Sequence, residues 1–196
     1  MIPALLLGAC SPVGPSSVTD PRFGVEIRTA HGSEAEVSTS RQLVGLLARH
    51  DLTPWLATRS VVVDESAIPH SHPVLTLSTR HLRNDNRLLS GFVHEQLHWI
   101  LLARQRQALA AMAELQEIFP EVPVGAPEGA VDRSSTYLHL LIGWLEWDAL
   151  IRLVGHEEAD AVMMFWAGDH YRWVYRTVLA ERRLLGEIVV RHGLQV

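Results

Sequence analysis

The spacing of apolar residues along the chain changes once, and the change divides the sequence into two parts. Phe23-Gly-Val-Glu-Ile-Arg-Thr29 alternates apolar and polar residues with the period of a strand. Leu43, Val44, Leu46 and Leu47 then recur at helical spacing, with Ser38-Thr39-Ser40 ahead of them as capping oxygens and His50-Asp51 closing the run. Ser60-Val-Val-Val-Asp64 and Val74-Leu-Thr-Leu-Ser78 are β-rich runs on either side of a loop holding Pro69, His70, His72 and Pro73, and they predict a hairpin or neighbouring strands. From Asn84 the period is helical. Asn84-Asp85-Asn86 supplies caps, and Leu89, Val93, Leu97 and Leu101 form an i, i+4 stripe that must face a core. Helix continues to about Ile118, and the prolines within Phe119-Pro-Glu-Val-Pro-Val-Gly-Ala-Pro-Glu-Gly129 require a loop. Further helices are expected over Ser134 to about Val154, around Glu157 to Trp166, and over a long stretch from about Asp169 to Val190. Strands first and helices afterwards predict an α+β fold, a small N-terminal sheet packed on a mainly helical C-terminal half.

With 196 residues, 47% of them apolar, residues 23–196 suffice for one core of ordinary size, so a single domain is expected there. Residues 1–22 read differently. Leu7-Gly8-Ala9-Cys10 is similar to the end of a bacterial lipoprotein signal, although the apolar run before it is short and lacks a positively charged start. The Pro/Ser-rich segment from Ser11 to Pro21 suits a flexible tether. Two expectations stand side by side: a membrane tether through Cys10 in the cell envelope, or a frayed terminus of a cytoplasmic protein. The net charge of −5 and scattered arginines, with no lysine at all, give no basic stripe, so nucleic acid is not an expected partner. Cys10 is the only cysteine, which excludes an intrachain disulfide and a cysteine-based metal site. Any metal must rest on His, Asp and Glu.

Those residue types converge at His94-Glu95-Gln96-Leu97-His98. Two histidines four apart on a helix stack on one face, where both imidazoles reach a single tetrahedral ion. From its place beside them Glu95 can take a proton from metal-bound water without entering the coordination sphere, which makes it the candidate general base. Phe92, Val93, Leu97, Trp99, Ile100 and Leu101 surround the motif, so its polar groups are expected to be buried and to need partners. Zinc is the ion expected.

With this motif the chain resembles the zincin superfamily of metallopeptidases, whose HExxH helix lies under a sheet and whose third ligand comes from downstream. The metzincin extension would need Gly and His where this chain has Leu101 and Arg104, so the likeness narrows to the gluzincins, which use a glutamate from a second helix. That resemblance implies a zinc-dependent peptidase acting on peptide or protein substrates. Glu146, inside the apolar run from Tyr137 to Trp147, is the candidate third ligand, because a carboxylate there is costly without a cation or donors. A buried ion pair with a C-terminal arginine is the competing explanation. His139, seven residues earlier on the same face, is the alternative third ligand or an orienting group. Gluzincins often carry an acid four residues after the glutamate, where this chain has Leu150. The resemblance further implies an oxyanion donor from the helical half, for which His170 and Tyr171 are the candidates with Tyr137 a further option, and a substrate-pairing sheet edge, assigned to Val74–Ser78. Two other functions remain open: a catalytically silent zincin-like binding or scaffold module, and a hydrolase acting on something other than peptides.

Overall fold

The computed structural model describes residues 14–196, so the lipoprotein-like Leu7-Gly8-Ala9-Cys10 lies outside the described residues. Among the described residues the fold is α+β, with one four-stranded sheet and seven α-helices. Strands β1 (Ser17–Thr19), β2 (Glu26–Thr29), β3 (Ser60–Val63) and β4 (Leu75–Leu77) lie in that order across the sheet. β1 runs antiparallel to β2, while β2, β3 and β4 are parallel, with Ile27 opposite Val61 and Val61 opposite Leu75.

Two expectations are corrected here. The segment read as a tether up to residue 22 contains β1, which pairs with β2 residue by residue from Ser17 opposite Arg28 to Thr19 opposite Glu26. The runs read as a hairpin or neighbours are neighbours, but parallel ones. After β3 the chain passes β4's place, runs back antiparallel through His70, then reverses into β4, so His70 and Thr76 exchange backbone hydrogen bonds of 2.8 and 3.1 Å on β4's outer side.

One face of the sheet is apolar because the strand period puts Ile27, Val61, Val63, Leu75 and Leu77 inward, while Glu26 and Arg28 point to water. Helices α1 (Glu34–Arg49) and α2 (Asp85–Ala103) cover that face. α1 starts earlier than the Ser38–Ser40 signal implied. Ser33 caps it by accepting from the Glu36 amide, and Ser40 bonds back to the Glu36 carbonyl at 2.9 Å, so that signal lies inside the helix. Glu36 itself is fully buried. Its carboxylate accepts the backbone N–H groups of His31, Gly32 and Glu65 at 2.8, 2.8 and 3.1 Å and faces the His31 ring at 3.0 Å. Burial alone would push the Glu36 carboxyl up, but the His31 ring and these amides outweigh it and bring it down to about 2.

The helical half is α3 (Gln105–Ile118), α4 (Arg133–Val154), α5 (His156–Asp169), α6 (Arg172–Ala180) and α7 (Arg182–Arg191). α4 is its axis: Leu140, Leu141, Ile142, Leu145, Ala149 and Leu150 are all buried, and α2, α3, α5, α6 and α7 pack around it. The stretch expected as one helix from Asp169 to Val190 is divided at Glu181. There the Trp144 indole takes the Arg182 carbonyl at 2.7 Å, and the Cβ-free Gly186 lets α7 lie against the Trp144 ring. No helix among the described residues is long and apolar enough to cross a membrane.

Candidate metal centre

Asn84 fixes where α2 begins, its side-chain oxygen accepting the Arg87 amide at 3.0 Å, and His94 and His98, four apart, emerge on one face of the helix. This face meets α4. The His94, His98 and His139 rings lie 5.1 to 5.5 Å apart between centroids, and one nitrogen from each falls within 4.8 Å of the others. A tetrahedral zinc centre holds its nitrogens about 3.4 Å apart at bonds of about 2.1 Å, a spacing within reach of these three rings.

Protonation fits the same use. The His139 Nδ1–H donates to the Ser135 carbonyl at 2.7 Å, and the His94 Nδ1 lies 2.8 Å from the Glu146 Oε2. Both bonds leave Nε2 as the lone-pair nitrogen. Burial holds all three imidazoles neutral, lowering His94 and His139 to about 3 and His98 to about 2, with the neighbouring histidines adding to the effect at His98 and His139. Neutral imidazole is the form a metal binds.

Glu146 is brought to this site, though not into the cluster. Its side chain has no exposed surface, and it accepts from the Ser90 hydroxyl and from the Tyr175 hydroxyl at 3.0 Å as well as facing His94. The Trp166 indole donates to Ser90 at 2.8 Å, which extends the chain of bonds from α5 through α2 to α4. Burial raises the Glu146 carboxyl, the Ser90 and Tyr175 hydroxyls pull it back, and the balance rests at about 7. The structure therefore brings His139, the alternative, together with His94 and His98, while Glu146 orients His94. The ion pair between Glu146 and a C-terminal arginine is not found; its partners are Ser90, His94 and Tyr175. Sequence reasoning missed Ser90, Trp166 and Tyr175. Ser90 alone had a signal, lying one helical turn before His94 on the same face.

Glu95 is buried beside the histidines, and burial together with the charge of Glu146 raises its carboxyl to about 8. Tyr171 stands over His139 with ring centroids 4.3 Å apart, and burial and the charge of Glu95 push its hydroxyl up. His170 lies one ring further out, 5.0 Å from Tyr171, with its Nδ1 2.8 Å from Asp169. Arg80 grips Asp169 and, with His170, holds that carboxyl down at about 2. Tyr137 takes no part: it is buried and donates to the Phe119 carbonyl at 2.6 Å.

The sheet edge assigned to substrate also changes. The outward backbone groups of Thr76 in β4 are taken by His70, a single bridging residue flanked by Pro69, which has no N–H to offer, and Ser71. The Trp99 indole holds the Ser71 carbonyl at 2.9 Å, and the His72 ring stacks on Trp99 at 4.1 Å, which fastens this edge to α2 immediately beyond His98.

A second group, His31, Glu36 and Asp64, also brings three ligand atoms close together. There the Glu36 oxygens are already filled by N–H donors, an environment that repels a cation.

These features define an α+β protein with a three-histidine cluster, two of its members buried and His98 half-buried, flanked by a glutamate. Comparison with protein-family models, with curated protein sequences and with solved structures returns no match.

Proposed function

We propose that the protein is a zinc-dependent hydrolase with peptides as its substrates. The observation that carries this reading is the convergence of His94, His98 and His139, all neutral, with Glu95 alongside. Three protein ligands are the number found in open catalytic zinc centres, whereas structural centres take four. Glu146, engaged by three other groups, is withheld from the fourth position. A zinc ion in this cluster would acidify water toward a pKa of about 7 and polarise a carbonyl.

The chain's own groups supply the remainder. Glu95, buried next to His94, would take the proton from attacking water and return it to the leaving amine. Tyr171, against His139, is placed to donate to the oxyanion that forms when the carbonyl is attacked. His170, steadied by Asp169, is the outer donor. A peptide is the substrate that the likeness of His94-Glu95-Gln96-Leu97-His98 to the zincin motif implies.

A second reading is hydrolysis of small esters or amides, favoured by the shallow exposure of His94, Glu95 and His139, each at or below 8%. Purified protein loaded with zinc and assayed against a peptide library and a panel of small esters and amides separates the two. Cleavage of peptides, retained by the wild type and lost by about 10²-fold or more in Glu95→Gln with zinc still bound, is the expected result. Full activity in Glu95→Gln would remove the general-base role, and a protein that retains no zinc would end the hydrolase reading.

A further inference from the structure

Resting on that reading, we propose that the loop spanning residues 119–132 is a positioning element for Tyr171, and that Glu128 and Gly129 are its working residues. Tyr171 has φ 49° and ψ 39°, the left-handed region that an aromatic residue rarely enters and keeps only where its surroundings dictate it. The loop supplies those surroundings. The first amides of α6, which a helix leaves without internal partners, donate to loop carbonyls: Arg172 to Pro127 at 2.9 Å and Trp173 to Glu128 at 3.1 Å. The Glu128 carboxylate pairs with Arg176 one turn into α6, and Phe119 meets the Trp173 ring edge-on at 6.0 Å.

The loop's other end is tied to α4. Thr136 accepts the Ala130 amide and donates to the Pro123 carbonyl, both at 3.0 Å, beside the Ser135 carbonyl that holds His139. One loop thus references both the cluster histidine and the tyrosine above it to a common frame. Gly129 is what permits the loop to close so tightly. A Cβ at that position would lie 2.0 Å from the Pro123 carbonyl oxygen, so any side chain must move the backbone.

The chain has three tyrosines, Tyr137, Tyr171 and Tyr175, so protein labelled with 3-fluorotyrosine gives three 19F lines, and Tyr171→Phe assigns the one in question. In metal-free Glu128→Gln and Gly129→Ala the Tyr171 line shifts and broadens while the Tyr175 line stays. Zinc affinity remains within about threefold of wild type. On a cleaved peptide kcat falls about tenfold at unchanged KM, and this loss disappears in a Tyr171→Phe background. Should Gly129→Ala fail to fold, Glu128→Gln, whose side chain is at the surface, carries the test. An unmoved Tyr171 line overturns the proposal, as does an equal loss of kcat with and without the Tyr171 hydroxyl. A protein that binds no zinc yet shows the shifted Tyr171 line refutes the hydrolase reading and supports the positioning role.

Discussion

Glu146 and His139 show how far individual residues can be interpreted from spacing. Seven residues apart on α4 they share a face, but they stand about 10 Å apart along the helix axis. Which of them meets His94 and His98 depends on how far α4 slides along α2, and no property of either residue encodes that offset. HExxH itself was legible because its geometry is local to one helix. Tyr175 and Trp166 were invisible because their partners lie on other helices. The placement now makes the two substitutions differ. On the proposed zinc centre His139→Ala would remove a ligand and is expected to lower zinc affinity by more than Glu146→Ala, which would leave the three histidines in place and weaken binding by about 10- to 100-fold. Competition titration with a chromophoric chelator measures both, and loss of zinc from Glu146→Ala alone would restore the glutamate as ligand.

Among the elements, those with a strong period of their own were legible. α2 lies where its apolar stripe and the Asn84 cap put it, and α4 begins at Arg133, one residue before the expected Ser134. β1 was not, because three exposed residues carry no period and become a strand only through β2. The start of α1 was displaced for a comparable reason: the side chain that organises it, Glu36, reaches outside the helix to the strand ends at His31 and Glu65. That arrangement sets a pH dependence. The Glu36 carboxyl is depressed in the fold, from an ordinary 4.5 to about 2, so its contribution is present above the unfolded value and is lost as pH falls between those limits. Urea denaturation of wild type and Glu36→Gln should differ by on the order of 3 kcal/mol at pH 7, with the gap closing as pH drops from about 4.5 to about 2. A gap constant down to pH 2 would mean that the carboxylate's charge does not matter there.

For the whole molecule, the order of strands and helices was enough to give the α+β class, while strand direction was not, since a parallel β3–β4 pair depends on where the intervening segment returns. Zinc in the cluster would join α2 to α4, the helix under the sheet to the axis of the helical half. Binding to the folded state alone adds about 2.7 kcal/mol at a free concentration one hundred times Kd. For a domain of this size that raises Tm by about 5–10 °C. Calorimetry with zinc and with a chelator should show this difference in the wild type and none in His98→Ala. A wild-type Tm indifferent to zinc would count against the cluster as a metal centre.

The separation of the three cluster histidines along the chain fixes the order in which they are made. His94 and His98 leave the ribosome together on α2, but His139 follows only after α3 and the loop held by Gly129 have been made. Until α4 docks, the early pair offers two ligands to any passing ion, too few for a closed grip. If the cluster takes zinc as proposed, capture of the metal follows completion of the fold rather than seeding the collapse of the chain.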